Sequence, residues 1–227
     1  MRLNKPVSMK AVISLGGSVI VPDNVDVNFL RKFRDLIGGY SKNNKVIVIC
    51  GGGKLARALQ EKAKKMNGVT DRDLDWLGIY ATRINALTLK KMLGVKGNII
   101  MNPNEKLEFK ENIIIAAGWK PGFSTDFDAV LLAENIKADI LINVTNVDYV
   151  YDKDPRLKGA KPIKEVTWSN LKKIVGNKWK PGLNMPFDPI AAKEAEKLRL
   201  KVVVIGKSLD NLKNVLDGKK FKGTLIK

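Results

Sequence analysis

The segment Val46-Ile-Val-Ile-Cys-Gly-Gly-Gly-Lys54 carries the clearest signal of the fold class. Five consecutive apolar residues, four of them β-branched, are typical of a strand buried on both faces, as in parallel sheets. Three glycines end this strand, and a helical pattern then occupies residues 54–66. The segment therefore has the strand–loop–helix order of a βα unit.

The same order recurs along the chain. Short apolar runs predict further strands at residues 11–15, 113–117, 140–144 and 202–205. Two sets of apolar residues recur at steps of three and four, which indicates helix faces: Leu77, Tyr80, Ile84 and Leu87, and later Ala191, Ala195 and Leu198. The alternation predicts an α/β fold with a mostly parallel central sheet and helices on both faces.

The composition fits one globular unit. The chain has 227 residues, of which 44% are apolar, and no low-complexity linker divides it. We expect a single domain over residues 1–227 with two lobes. No apolar run reaches the roughly 18 residues of a membrane span. The polar, basic start lacks the apolar core of a signal peptide, so we expect a cytoplasmic protein without membrane contact.

The titratable residues exclude several kinds of catalysis. Histidine is absent and Cys50 is the single cysteine, so serine–histidine and cysteine–histidine mechanisms and histidine-ligated zinc are ruled out. Catalysis must use lysine, arginine, carboxylates, backbone amides or a hard metal ion. The formal charge of +18 favours anionic partners. Because no nucleic-acid-binding motif is present, we expect nucleotides rather than specific DNA or RNA.

Three glycine-bearing loops follow predicted strands directly. They are Gly16-Gly-Ser18, Gly51-Gly-Gly-Lys54 and Gly118-Trp-Lys-Pro-Gly-Phe-Ser-Thr-Asp126. In a parallel sheet such loops share the carboxyl edge, where ligands bind. Backbone amides at a helix start can hold phosphate there. Each loop alone is also compatible with a plain strand-to-helix turn, and none is a Walker A loop or a G-x-G-x-x-G motif.

Two further patterns concern the same edge. Thr145-Asn-Val-Asp-Tyr-Val-Tyr-Asp-Lys-Asp-Pro155 follows the fourth predicted strand, although an Asp-Pro pair also begins ordinary turns. Trp119-Lys-Pro-Gly122, followed by Phe127-Asp128, is echoed by Trp179-Lys-Pro-Gly182, followed by Phe187-Asp188. The echo is either coincidence or a pair of loops that each present a lysine to phosphate.

Taken in order, these motifs resemble the amino acid kinase family, and within it the archaeal-type UMP kinases. The resemblance runs from about Lys10 to the C-terminus and is weakest over residues 93–112. It includes Leu15-Gly-Gly-Ser18, the glycine–lysine loop as far as Arg57, and the Pro-Gly-x-Ser-Thr-Asp loop. Thr145 to Pro155, Asp188-Pro-Ile-Ala-Ala-Lys193 and Gly223-Thr-Leu-Ile226 complete it. It implies an amino acid kinase (carbamate kinase-like) fold and transfer of phosphate from ATP to UMP.

The resemblance also assigns residues to roles. The acceptor-binding lobe would be N-terminal and the ATP-binding lobe C-terminal. ATP would contact Gly17, Ser18, Gly53, Arg57, Thr145, Tyr151 and Asp154. UMP would contact Gly52, Asp75, Lys120, Pro121, Gly122, Phe123, Ser124, Thr125 and Asp126. Asp75 could accept hydrogen bonds from ribose hydroxyls or simply cap its helix.

Catalysis by positioning and charge neutralisation needs few protein groups. The resemblance places Asp126 between the two substrates. It also implies Mg²⁺ held mainly by ATP, with no protein metal ligand assigned. A homo-oligomer, a hexamer built from dimers, is expected, with the helix after Asp26 as either an interface or part of the core.

The chain departs from the family pattern at three places. Ser14 replaces the lysine that many relatives carry two residues before the first glycine pair. Lys54 and Lys120, with Lys180 behind them, are the candidate replacements. Tyr149 stands where glycine is usual, which predicts strain if the backbone there needs a positive φ. Phe127-Asp128 replaces small apolar residues.

Two alternatives to a UMP kinase remain at this level. The chain could be a family member that binds nucleotides or oxyanions without turnover, or a kinase of the same family with another acceptor. Isopentenyl phosphate kinases rely on a histidine, which this chain lacks. A general nucleic-acid binder would show salt-sensitive binding without turnover.

Overall fold

The computed structural model describes residues 8–176 and 187–227. The described strands are β1 (Lys10–Leu15), β2 (Lys45–Cys50), β3 (Ile113–Ala116), β4 (Ile140–Val144), β5 (Val150–Tyr151), β6 (Pro162–Ile163), β7 (Glu165–Val166), β8 (Val202–Ile205) and β9 (Thr224–Ile226). The described helices are α1 (Gly17–Ile20), α2 (Val27–Ser41), α3 (Gly53–Ala63), α4 (Asp71–Leu93), α5 (Thr125–Ile136), α6 (Trp168–Val175), α7 (Pro189–Lys197) and α8 (Leu209–Leu216). Every predicted strand and helix is present.

The central sheet has the order β3-β2-β1-β4-β8-β9-β7. The first five strands in that order are parallel, and β9 runs antiparallel to β8. The chain steps from β1 outward to β2 and β3 and then returns to the other side of β1 with β4. This reversal creates a crevice at the carboxyl ends of β1 and β4, where open α/β sheets bind ligands.

Helices cover both faces of the sheet, as predicted. Alternate residues of each strand point to opposite faces. Ile13 thus packs in one apolar cluster with α2, α4 and α8, whereas Val12 packs in the other with α5, α6 and α7. Both side chains are fully buried. The mostly parallel α/β architecture expected from the apolar runs is therefore confirmed.

The helix after Asp26 belongs to the core. In α2, Leu30, Phe33 and Ile37 recur at three- and four-residue steps and are completely buried. Asp26 caps this helix, because its side chain accepts a hydrogen bond from the Phe29 amide. This helix was considered either as an interface or as part of the core, and its apolar residues pack in the core.

Helix α4 faces the other way from its apolar periodicity. Tyr80, Ile84 and Leu87 are 54%, 53% and 50% exposed. The face that packs inward combines a different set of apolar residues with small and polar ones, including Thr82 and Asn85. The periodicity predicted the helix correctly but did not identify its buried side.

The start of α4 corrects one reading of Asp75. Thr70 is the N-cap residue, and it forms a capping box with Asp73. Asp75 lies inside the first turns of the helix, so the alternative role of Asp75 as a cap is wrong. In the described residues no helix is long and apolar enough to cross a membrane.

Candidate active site

Two glycine loops meet in backbone contact at the carboxyl edge. Gly17 follows β1, and Gly53, which follows β2, has φ = 60°. A Cβ added at Gly53 would overlap the Gly17 carbonyl carbon and the Ser18 amide nitrogen, and one added at Gly17 would overlap the Gly51 carbonyl oxygen. Only glycine allows this approach. The loops after β1 and β2 therefore form one continuous surface of backbone groups.

Buried polar residues of α4 hold the glycine loops. The Asn85 side chain donates to the Gly51 carbonyl at 2.7 Å and to the Gly52 carbonyl at 3.3 Å. One helical turn earlier, Thr82 Oγ1 accepts a hydrogen bond from the Gly118 amide at 2.8 Å. Helix α4 thus fixes the loops after β2 and β3 relative to each other. The sequence analysis had assigned no role to Thr82 or Asn85.

Asp126 lies at the crevice between β1 and β4. Its Oδ1 accepts hydrogen bonds from Ser14 Oγ of β1 at 3.3 Å and from Asn143 Nδ2 of β4 at 3.4 Å. Its Oδ2 accepts one from the Asp188 backbone amide at 3.2 Å. Three segments that are far apart in sequence therefore orient one carboxyl group.

Three aspartates are concentrated at this point. Asp128 is 1% exposed and Asp188 is 5% exposed, and both lie near Asp126. Removal from water, with the charge of Asp188 added, raises the pKa of Asp126 to about 7. Burial raises the pKa of Asp128 to about 7 as well, and the hydrogen bond from the Trp119 amide opposes that rise. Asp126 and Asp128 can therefore hold protons near neutral pH.

These pKa values predict how stability changes with pH. The pKa of Asp128 in the folded chain is about 7, above the ordinary value of 3.8, so the folded state binds more protons between these limits. The free energy of unfolding should therefore fall as pH rises, by about 1 kcal/mol per pH unit between pH 5 and 7, and level off above that. Asp128→Asn should lack this contribution. Denaturant unfolding of both proteins from pH 5 to 8 measures it, and parallel curves would contradict the prediction.

The predicted cations occupy different positions. Lys54 Nζ forms an exposed ion pair with Asp23 Oδ1 at 2.8 Å, and Arg57 Nη2 donates to Ser18 Oγ at 2.9 Å. Lys120 Nζ lies 3.8 Å from the centre of the Trp119 ring and 5.2 Å from that of Phe123. Arg57 and Ser18 are thus brought together beside the glycine loops. Lys180 lies outside the described residues, as does the second copy of the Trp-Lys-Pro-Gly echo.

The loop after β3 contacts α4 through Asp75. Asp75 Oδ2 accepts a hydrogen bond from the Gly122 amide at 2.7 Å, and Gly122 has φ = 90°. Partial burial raises the pKa of Asp75. Ser124 caps α5 by accepting from the Phe127 amide, and α5 then begins at Thr125. The predicted acceptor-site residues Asp75 and 120–126 therefore form one connected unit.

Three aromatic rings stack in succession along that loop and the first turn of α5. Trp119 stacks on Phe123 with ring centres 5.4 Å apart, and Phe123 stacks on Phe127 at 4.9 Å. Arg83 of α4 donates to the Trp119 carbonyl at 3.3 Å. The rings stiffen the loop and present a π-face on which Lys120 rests.

The residues predicted for ATP after β4 are spread over a longer segment. The Thr145 amide donates a hydrogen bond to the Ile205 carbonyl, which connects this loop to β8. Tyr151 meets Tyr149 edge-to-face at 6.5 Å. Asp154 is held by Arg156, whose hydrogen bonds lower the pKa of Asp154 to about 2. Tyr149 is not among the residues with positive φ, so the strain considered for it is absent.

Sequence reasoning missed Asn143 and gave no individual role to Asp188. Asn143 is a polar residue in an otherwise apolar predicted strand, which is the signal that could have drawn attention to it. Asp188 caps α7, because its Oδ1 accepts from the Ile190 and Ala191 amides. Its backbone amide is what reaches Asp126.

The architecture is that of an α/β protein with a mostly parallel sheet, whose strand order reverses at the edge where the glycine loops meet. The chain belongs to the amino acid kinase family, which it matches over residues 9–206.

Individual proteins agree with this assignment. A uridylate kinase of Thermoplasma volcanium is 37% identical over 213 residues, which cover 92% of this chain and 93% of that protein. The crystal structure of uridylate kinase from Archaeoglobus fulgidus matches with a TM-score of 0.84 and 35% identity, over 96% of this chain and 100% of that one. UMP kinase from Ureaplasma parvum, at 22% identity, a TM-score of 0.76 and coverage of 96% and 98%, supports the fold alone.

Proposed function

We propose that this chain transfers the γ-phosphoryl group of ATP to UMP and releases UDP and ADP. The structural observation that carries the proposal is Asp126, oriented by Ser14, Asn143 and the Asp188 amide beside converging glycine loops. UMP as the acceptor is supported by the relatives. They are named uridylate kinases, and this chain matches them over almost their whole length. Such a reaction belongs to pyrimidine nucleotide biosynthesis. We propose a cytoplasmic location on the basis of that role.

In this reaction an oxygen of the UMP phosphate bonds to the γ-phosphorus of ATP, and the bond from that phosphorus to the β–γ bridging oxygen breaks. The acceptor oxygen is already ionised, so no general base is needed, and alignment and charge neutralisation provide most of the catalysis. Amides of the loops after β1 and β2 bind phosphate oxygens. Asp126 orients the donor groups around the transferred phosphoryl group.

The two substrates are assigned to different parts of the sheet edge. UMP binds to the loop after β3 with Asp75 and Gly52, in the N-terminal part of the domain. ATP binds to Gly17, Ser18, Gly53 and Arg57 and to the segment from Thr145 to Asp154, which continues into the C-terminal part. The crevice between β1 and β4 separates these regions, and Asp126 lies there.

A divalent ion would accompany ATP, and Mg²⁺ is the ion we propose. In the residues that the structure describes, no cluster of three acidic, histidine or cysteine side chains could hold a metal ion. Mg²⁺ usually keeps several waters and is bound through substrate phosphates, so the nucleotide would supply most of its protein-independent ligands. The ion would supply charge neutralisation, and the chain would supply alignment.

Phosphate transfer from Mg-ATP to a panel of acceptors tests the proposal. The panel contains UMP, CMP, AMP, isopentenyl phosphate, acetylglutamate and carbamate. We expect kcat/KM to be highest for UMP. Faster transfer to another acceptor would identify a different kinase of the family. Tight nucleotide binding without any transfer would favour the family members that bind without catalysis.

Asp75→Ala should raise the KM for UMP more than the KM for ATP. The carboxylate fixes the Gly122 amide at 2.7 Å, and its loss frees the acceptor loop while the loops after β1 and β2 stay in contact. A charge-assisted hydrogen bond contributes about 1.5–3 kcal/mol, so the KM for UMP should rise by roughly tenfold or more. Asp71→Ala, at an exposed position of the same helix, is the matched control. Equal increases for both substrates would assign Asp75 a general structural role.

We also propose a homo-oligomer, a hexamer by resemblance. The exposed apolar face of α4 formed by Tyr80, Ile84 and Leu87 supports it, because such residues on adjacent helical turns form a contiguous patch suited to a second copy. Sedimentation velocity of the full chain measures the mass of the assembly. A monomer at micromolar concentration would contradict this part of the proposal.

A further inference from the structure

Asp128 is a buried carboxylate that is only half satisfied. Its side chain is 1% exposed, and its Oδ2 accepts a hydrogen bond from the Trp119 amide at 3.0 Å. Its Oδ1 is buried without a hydrogen-bond partner in the described part of the chain. An unpaired buried carboxylate oxygen is costly, so such an atom is expected to have a partner in another state of the protein.

The charges around Asp128 indicate which partner would fit. Burial raises the pKa of Asp128 most, the charges of Asp188 and Asp126 raise it further, and the charge of Lys120 lowers it. A fourth carboxylate would be repelled, and an ammonium group would be attracted. The Trp119 amide already donates a hydrogen bond to Asp128, and Lys120 is the next residue in the chain.

Among the candidate cations that the structure describes, Lys120 is the one that remains available. Lys54 is paired with Asp23, and Arg57 is bonded to Ser18. The Lys120 ammonium rests on the Trp119 and Phe123 rings, and the structure shows no ion pair for it within residues 8–176 and 187–227. A cation–π contact at an exposed site contributes about 0.5–1 kcal/mol, so the ammonium can leave the rings at small cost.

We propose that Asp128 is a positioning residue whose free Oδ1 draws the Lys120 ammonium from the aromatic rings into the acceptor site. There Lys120 supplies the positive charge that Ser14 does not provide on β1. The inference rests on the proposed function, because it names the group that neutralises the transferred phosphoryl. Lys120 would contact substrate, whereas Asp128 would act through Lys120.

The competing explanation is that Asp128 only anchors the loop through the Trp119 amide. Asp128→Asn separates the two roles, because an amide oxygen still accepts that hydrogen bond but the negative charge is gone. Lys120→Met keeps the length of the side chain and removes its charge. Lys54→Met makes the same change at a lysine that is paired with Asp23 and serves as the matched control.

Carbon-13 NMR titration of the aspartate carboxyl groups tests the pairing without requiring turnover, and Asp128→Asn identifies the resonance. The midpoint for Asp128 should lie about one pH unit higher in Lys120→Met than in the wild-type chain. It should be unchanged in Lys54→Met. Equal midpoints in wild type and Lys120→Met would overturn the proposal, whatever the chain phosphorylates.

Kinetics with Mg-ATP and UMP tests the consequence for catalysis. Lys120→Met and Asp128→Asn should each lower kcat about tenfold, and the double variant should lose little more than the more impaired single variant, because both act through one group. Multiplied losses in the double variant would remove Asp128 from the positioning of Lys120. Absence of wild-type turnover would overturn the proposed function and the catalytic role of Lys120, and the titration would still decide whether the two residues pair.

Discussion

Asp126→Asn is expected to lower kcat by on the order of 100-fold while the affinity for ATP changes little. Asp126 accepts hydrogen bonds from β1, β4 and the start of α7, so it holds three separate segments around one point. The asparagine amide presents two donors where one of the oxygens now accepts. That change misorients the donor groups at the point of transfer but leaves the glycine loops intact.

Steady-state kinetics with UMP and Mg-ATP measures the effect on kcat, and calorimetric titration with ATP measures binding. Asp210→Asn is the matched control, since Asp210 is an exposed aspartate in the first turn of α8. A variant that keeps wild-type kcat would remove Asp126 from the mechanism. An equal loss of ATP affinity would assign Asp126 to the donor site.

Gly53→Ala should have the largest effect on the fold of the site. Its φ of 60° costs a residue with a Cβ about 1–2 kcal/mol, and the added Cβ would overlap backbone atoms of Gly17 and Ser18. With a typical overpacking cost, the free energy of unfolding should fall by about 3 kcal/mol. Both glycine loops must separate, and a shift of about 1 Å in substrate alignment can lower turnover by roughly 100-fold.

Gly39→Ala is the control for the same substitution in a different setting. Gly39 lies inside α2 at an exposed position, and a Cβ there would meet nothing within 4 Å. Alanine should therefore raise the free energy of unfolding by about 0.5–1 kcal/mol and leave kcat unchanged. Denaturant unfolding and steady-state kinetics test both variants. Equal stability of the two variants would mean that the loops after β1 and β2 do not need this close contact.

The sequence predicts the elements of this fold well because the signals are local. The run from Val46 to Ile49 indicates a buried strand by composition alone, and Gly53 at its end indicates a tight approach of the backbone. Contacts between residues that are distant in sequence have no such local signal. That Asn143 and Asp188 both bind Asp126 depends on β4 lying beside β1 and on the start of α7 reaching the same edge, which spacing along the chain does not encode.

Periodicity has a second limit, seen in α4. Tyr80 and Ile84 mark a helix face, but whether an apolar face turns inward depends on what else needs the interior. Here the glycine loops require hydrogen-bond partners, so Thr82 and Asn85 occupy the buried side. Tyr80 and Ile84 are left exposed. The available signal for the buried face was the three-residue spacing of Thr82 and Asn85. The apolar periodicity of the opposite face was the stronger pattern.

Transfer of labelled phosphate shows whether UMP is the acceptor and whether Asp126 takes part in the transfer. ATP that carries radioactive phosphorus at the γ position is incubated with UMP, Mg²⁺ and the wild-type chain, and the products are separated. We expect the label to appear in UDP, and the Asp126→Asn variant to form labelled UDP about 100 times more slowly. Label that remains in ATP, or that appears only as inorganic phosphate, would contradict the account.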